Sequence, residues 1–180
     1  MKPSSDEGEK TPVSAAAPTH LISVDPGIKG AICLFEIRTR KVQVFDMPTS
    51  EGRVDPAKLA AIVDQLNFQA DRHVHAVVEL VSSMPRQAGA FNFGVSAGVV
   101  HGVLAALGIP MTLVSPNVWK GATGLHRMPG ESQADVKSRA RFLAQKLWPA
   151  QAALFARVKD DGRAEACLIS FFYATKMGWL

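Results

Sequence analysis

The chain has 180 residues, a net charge of +4 and 47% apolar residues, which suits one domain with a full core. No apolar run reaches membrane-spanning length, and no Cys/His cluster has the spacing of a zinc site. The first twenty residues lack the apolar centre of a signal peptide, and their Asp6, Glu7 and Glu9 without any arginine argue against an organellar transit peptide.

Residues 1–18 mix Pro, Ser, Ala and charge without periodicity and are expected to form a disordered tail, leaving 19–180 as the folded domain. Leu21 to Val24 is a short apolar run stopped by Asp25-Pro26-Gly27, a turn signal. Ala31 to Ile37 resumes as a strand. Thr39-Arg40 makes a tight polar connection to a third strand over Lys41 to Met47. The three read as a meander of antiparallel hairpins. Asp55-Pro56 then opens a helix, with Asp as N-cap and Pro at the first helical position. Leu59, Ile62, Val63 and Leu66 share one face of that helix, which runs over Ala57 to Asn67.

His75 to Val81 is an apolar, β-branched run broken by Glu79 and reads as a buried parallel strand. A loop follows, then a helix from Phe91 to Leu107 that contains Gly94, Gly98 and Gly102. Each glycine costs a helix about 1 kcal/mol against alanine, so close backbone approach along one face is a reason to keep them. Met111 to Val114 reads as a strand, 119–133 as a Gly- and basic-rich loop, and Ala134 to Leu147 and Gly162 to Met177 as helices. The order β-β-β-α-β-α-β-α-α describes an α/β fold, a mixed sheet with helices on both faces. Cys33 and Cys167 lie inside apolar segments and read as reduced core residues, in keeping with a cytoplasmic setting, at the nucleoid if the source is a prokaryote or phage.

Three carboxylates interrupt apolar elements. Asp25 ends the first strand, Glu79 ends the fourth, and Glu165 lies in a last helix that is apolar nearly all round. Asp161 stands one turn before Glu165 on the same face. If the first and fourth strands are neighbours, these acids converge and repel, and divalent cations resolve the repulsion. Oxygen-only ligands suit Mg²⁺ or Mn²⁺. Two such ions about 3.5–4 Å apart form a clamp for phosphodiester hydrolysis. Each acid also has a plain structural reading: a turn residue at Asp25, a strand end at Glu79, a helix cap at Asp160-Asp161. Residues 101–180 hold ten Lys/Arg against five Asp/Glu, which is compatible with a polyanionic partner.

"ISVDPGIKGA", "VVEL", "FGVSAGVVHGVLAALGIP", "VSPNVWKGATGL", "ADVKSRARFLAQKLWP" and "KDDGRAEACLIS" together resemble the RuvC-like Holliday junction resolvases, in the branch with chloroplast and related bacterial or phage enzymes. The resemblance spans roughly residues 20–177. It implies a ribonuclease H-like fold with a five-stranded mixed sheet, three strands antiparallel and two parallel. It further implies a homodimer that cuts two opposed strands of a four-way DNA junction with Mg²⁺ or Mn²⁺, two ions per site. By matching motifs it assigns Asp25, Glu79 and Glu165 as metal-binding, catalytic acids. The fourth is expected at Asp161, with Asp160 as the alternative: bacterial RuvC spaces its last two acids i, i+3, and that position here is Gly162.

Lys137, in the segment where the family carries a basic residue near the active site, is expected on DNA, with Lys120, Arg139 and Arg163 as further candidates. Met84, Phe91 and Phe93 are candidates for a residue that pries the junction open, with helix packing the plainer role for the two phenylalanines. The RuvC wedge itself, a Phe three residues after the Glu, is replaced here by Ser82. An actin-like or sugar-kinase ATPase needs two such domains, for which 180 residues are too few. A nuclease for RNA–DNA hybrids or flaps, sharing the same metal chemistry, and a non-catalytic junction-binding module are the remaining alternatives.

Overall fold

The computed structural model describes residues 17–80 and 89–180. Residues 1–16 of the expected tail, and Ser82 and Met84, lie outside them. The main sheet has the order β3-β2-β1-β6-β7. Its strands are β1 (His20–Asp25), β2 (Ala31–Glu36), β3 (Val42–Asp46), β6 (Val74–Glu79) and β7 (Met111–Val114). The first three form the expected antiparallel meander. β6 joins β1 in parallel and β7 joins β6 in parallel. The mixed five-stranded sheet is therefore as the sequence implies.

Strand alternation divides the core into two halves. Ile22 and Val24 of β1, with Ala76 and Val78 of β6, face α1 (Pro56–Gln69) and α2 (Ala90–Ala106). Leu21 of β1 and Val77 of β6 face the opposite way, into a cluster with α4 (Gln133–Leu147) and α5 (Asp161–Lys176). Two 3₁₀ turns, Pro149–Phe155 and Val158–Asp160, link these two helices. Asp55 caps α1 as its sequence implies, accepting bonds from the Ala57 and Lys58 N–H groups at 3.1 Å. Among the described residues no helix is long and apolar enough to cross a membrane.

Two elements differ from the sequence reading. A small hairpin, β4 (Thr49–Ser50) with β5 (Arg53–Val54), precedes α1. Its turn places Glu51 and Gly52 at positive φ, and strands of two residues leave no alternation to read. A short helix, α3 (Pro116–Ala122), begins at the Ser115-Pro116 signal and takes in the first residues expected as loop.

α5 lies across β1 and β2 and sets the geometry of everything above them. Ala164, Ala166, Cys167, Leu168 and Ile169 are fully buried. Ser23 of β1 donates to the Ala166 carbonyl at 2.6 Å and shares a 2.5 Å bond with the Ser170 hydroxyl. Gly162, in the first turn of α5, lies directly on the β1–β2 connection: a Cβ there would stand 2.3 Å from the Lys29 carbonyl oxygen. Backbone cannot yield as a flexible side-chain tip can, so this contact requires glycine. Gly162→Ala is expected to lose about 1–3 kcal/mol by overpacking, despite alanine's better helix propensity. Urea unfolding at neutral pH measures it, with Gly98→Ala, where a Cβ meets nothing within 4 Å, as the contrasting substitution.

Candidate active site

Asp25 and Glu79 end adjacent parallel strands. The register pairs Val24 with Val78, so the two acids follow side by side. Each is two residues beyond a side chain that faces α5, Ser23 and Val77 respectively, so both project toward that helix. The turn after Asp25 is shaped around its carboxylate. The Gly27 N–H donates to Asp25 Oδ1 at 3.1 Å, and the Gly30 N–H donates to the Gly27 carbonyl at 2.8 Å. A Cβ on Gly30 would stand 2.1 Å from the Asp25 carbonyl oxygen and 2.8 Å from its carboxyl carbon. The second glycine of "DPGIKG" is thus as necessary as the acid.

Glu79 is buried, and the indole of Trp119 on α3 donates to its Oε1 at 2.9 Å. Burial pushes its carboxyl above the usual range, Lys120 and the indole bond pull it back, and Glu165 pushes it up again. Glu165 comes from α5, one residue before the Ala166 carbonyl that Ser23 holds. Its two carboxylate oxygens accept from Lys120 Nζ at 3.3 and 3.1 Å. Lys120 also lies over the Trp119 ring, 5.0 Å from its centroid. One short helix therefore supplies the indole for Glu79 and the ammonium for Glu165.

Asp161, at the start of α5, pairs with Lys137 of α4. The Lys137 ammonium is raised in pKa first by that bond, and Glu165 and Asp25 add to the effect. Asp160 is committed elsewhere: it is 1% exposed and accepts from Arg157 at 2.8–3.2 Å, with Arg163 at 3.8 Å. Of the adjacent pair, Asp161 shares a lysine with the other acids and Asp160 closes a turn.

Asp25 is the most perturbed of these groups. It keeps a partly open surface, yet its pKa rises from 3.8 to about 7. Burial is the largest cause, followed by Glu79 and Glu165, with the Gly27 N–H and Lys120 opposing. Three acids from three separate elements thus act on one another across one small volume. Among the described residues no three such side chains stand in metal-ligating geometry, and Lys120 and Lys137 draw Glu165 and Asp161 to themselves. The donor set is nevertheless that of a hard divalent cation: oxygen only, with four carboxylates against two ammoniums. Burial, with Glu79 and Glu165 beside it, raises the Asp25 carboxyl, and a divalent ion held there would supply opposing charge.

The other residues singled out in the sequence are distributed unevenly. Arg139 spends its guanidinium on the 124–131 loop, donating to Glu131 at 2.7 and 2.9 Å, to the Gly124 carbonyl at 2.7 Å and to the His126 carbonyl at 2.8 Å. Arg163 makes a two-pronged pair with Asp46 of β3, at 2.5 and 2.7 Å. Both are therefore engaged within the chain. Phe91 is 82% exposed, so among the described residues the helix packing expected of it is not found. Trp119 and Ser23 were not singled out, because a tryptophan or serine in an apolar run reads as core. A groove of about 650 Å³ opens beside Asp161, lined by Lys29, Lys137, Arg141 and Lys159 among others. The "KSRAR" segment signals this groove through Lys137 and Arg141, two of its three basic residues.

Asp25 sets a pH dependence whose sign is fixed by its raised pKa. The folded chain holds this proton to about pH 7, whereas an unperturbed carboxyl releases it near 3.8. Stability therefore falls as pH rises through that window. With metal chelated, Asp25→Asn is expected to match the parent near pH 4 and to exceed it above pH 7, by about 1–3 kcal/mol. Denaturant titrations at pH 4, 6 and 8 measure this; a variant less stable than the parent at pH 8 contradicts it.

Neither a protein-family model nor a curated protein sequence matches the chain. Solved structures do. Thermus thermophilus RuvC in complex with a Holliday junction substrate superimposes with a TM-score of 0.58 at 19% identity, covering 89% of this chain and 96% of that one. A second T. thermophilus RuvC structure gives 0.57 at 17% identity, covering 88% and 96%. The likeness runs through nearly the whole of both chains, and the architecture of this protein is the ribonuclease H-like fold of RuvC.

Proposed function

We propose that this chain is a structure-selective DNA endonuclease that resolves four-way junctions by metal-dependent phosphodiester hydrolysis. The observation that carries the reading is the meeting of Asp25, Glu79 and Glu165, from β1, β6 and α5, at one end of the sheet. Asp161 stands beside them on the basic groove. One of the similar structures holds a Holliday junction substrate, which makes branched DNA the first substrate to test.

Asp25, Glu79, Glu165 and Asp161 would hold the ions. Mg²⁺ or Mn²⁺ bound there, two per site, would supply a hydroxide nucleophile at neutral pH and stabilise charge on the scissile phosphate. The chain's own residues prepare that site. Trp119 fixes the direction of Glu79. Lys120 and Lys137 hold Glu165 and Asp161 and are placed to turn toward phosphate oxygens once cations take those acids. Lys29, Arg141 and Lys159 extend positive charge along the groove, where a DNA backbone fits by charge and not by base sequence. Two equivalent cuts suit a two-fold homodimer. The exposed face of α2, where Gly94, Gly98 and Gly102 have open space above them, is the surface proposed for it.

Labelled four-way junction, duplex, flap and RNA–DNA hybrid, incubated with the protein in Mg²⁺ or Mn²⁺, test the assignment. Paired symmetric nicks in the junction alone are expected. Preferential cutting of the hybrid or flap would move the protein to another nuclease class, and binding without cutting would make it a junction-binding module. Asp25→Asn is expected to abolish cleavage while retaining junction binding. Mg²⁺ titration is expected to raise the melting temperature of the parent and leave Asp25→Asn nearly unmoved, a readout independent of catalysis.

The groove makes a separate quantitative claim. Arg141→Ala and Lys159→Ala are each expected to weaken junction binding equally across sequences. Each also lowers the slope of log affinity against log salt by about 1. Fluorescence anisotropy between 50 and 200 mM salt reads both effects, and an unchanged slope removes that residue from the DNA path.

A further inference from the structure

Arg139 stands two residues after Lys137 on α4, which turns it about 200° around the helix, away from the side that meets Asp161. There its guanidinium donates to both carboxylate oxygens of Glu131, at 2.7 and 2.9 Å, and to the Gly124 and His126 carbonyls at 2.7 and 2.8 Å. All three of its nitrogens are used. The pair is well covered, with 29% of the Arg139 side chain and 13% of the Glu131 side chain exposed. The Glu131 carboxylate also accepts from the Met128 N–H at 3.0 Å, and the Glu131 carbonyl accepts from Arg127 Nε at 2.6 Å. The 124–131 loop is thus closed on one two-pronged ion pair, the arrangement in which arginine is strongest.

What this clamp holds is Leu125, which lies between the two carbonyls that Arg139 binds. Leu125 is 3% exposed, shares a core cluster with Trp119, and donates its N–H to the Lys120 carbonyl at 2.6 Å. Thr123 adds a hydroxyl bond to the Trp119 carbonyl at 2.8 Å. A guanidinium on the Lys137 helix therefore reaches the backbone of Lys120 through two carbonyls and one N–H. α3 has only seven residues, too few to be firm by itself, so its bearing depends on how its end is fastened. In the absence of cations Lys120 and Lys137 are also tethered by Glu165 and Asp161. Once ions take those acids, the tethers are gone. From then on only the seating of the two helices decides where the ammoniums can reach.

Resting on the nuclease reading above, we propose that Arg139, through its pair with Glu131, is a positioning residue for the hydrolysis. It ties the helix of Lys120 to the helix of Lys137 and so fixes the separation of the two ammoniums that face the scissile phosphate. It touches neither metal nor DNA itself. Its role is to keep those two charges in place during the cut, where a displacement of about 1 Å is enough to cost a large factor in rate.

Single-turnover cleavage of labelled four-way junction across a range of protein concentrations separates the rate of the cut from affinity. Arg139→Ala is expected to slow the cut by roughly 10- to 100-fold and to leave junction affinity within about 3-fold and its salt slope unchanged. Added methylguanidine, below denaturing concentration, is expected to restore part of the rate. Arg139→Lys keeps the charge without the fork and is expected to stay slow. Arg38→Ala, at a side chain 88% exposed between β2 and β3, is the control and is expected to behave as the parent. Amide hydrogen exchange reads the clamp without any cutting: residues 119–126 are expected to lose protection in Arg139→Ala while α5 keeps it. Weaker binding with a shallower salt slope would overturn the proposal and make Arg139 a DNA contact. Unchanged exchange over 119–126, loss of protection in α5 as well, or an Arg139→Lys variant as fast as the parent would each overturn it too. A parent that cuts no junction overturns the nuclease reading and this role with it, whereas an Arg139→Ala variant that cuts as fast as an active parent overturns this role alone.

Discussion

The seat of α5 on β1 is the constraint from which the site follows. Gly162 allows the helix to touch the β1–β2 connection with its backbone, and Ser23 fixes its rotation and height by bonding at Ala166 and Ser170. Glu165 lies between these two anchors in the sequence. Its position above Asp25 and Glu79 is therefore set by packing at Gly162 and polar bonding at Ser23, and not by any attraction among the acids, which repel. A slip of one helical turn would move Glu165 by about 5.4 Å and break the group apart. The fully buried apolar residues of α5 supply the adhesion that holds the seat.

That adhesion has work to do, because the end of the sheet stores unfavourable charge. Glu79 is driven up in pKa first by burial, and Asp25 reaches about 7 for the same leading reason. The surrounding groups reduce the cost without removing it. An indole satisfies Glu79, one lysine each satisfies Glu165 and Asp161, and a backbone N–H satisfies one oxygen of Asp25. All four compensating groups donate to carboxylate oxygens, the place a bound cation would take. Under the proposed function, a 2+ ion would take the carboxylates and a phosphate the lysines, ligands of opposite sign arriving together. The same residues would make a poor core, since apolar side chains of equal volume would be more stable there.

The sheet was legible because its strands are dense in β-branched residues and closed by recognisable turns, and α1 because Asp55-Pro56 states its start. The acids Asp25, Glu79 and Glu165 were legible as interruptions: a carboxylate inside an apolar run is costly enough to need a reason. Other features depend on partners that no local pattern names. Asp160 and Asp161 are identical in type and adjacent, and what separates them is Arg157 and Arg163 on one side and Lys137 on the other. Arg139 and Arg163 carry the same charge as Lys137, yet their guanidiniums are taken by Glu131 and Asp46. Trp119 shows the reverse error. Its ring is fully buried, as a tryptophan beside apolar neighbours should be, but one polar atom on it orients Glu79.

α2 poses a problem that the described residues leave open and that the proposed dimer would close. Its glycines weaken the helix, yet among the described residues nothing stands within 4 Å of the Cβ positions of Gly94, Gly98 or Gly102. Among those residues no close approach justifies them. A second α2 packed along that face would, because small residues let two helix backbones come near. The N-terminal turn of the same helix carries Phe93, whose ring lies 3.8 Å from the Cβ position of Gly27 in the turn after Asp25. A dimer joined along α2 would therefore set the spacing of two acidic sites through one rigid element. A symmetric junction, with its two equivalent strands a fixed distance apart, demands that kind of spacing.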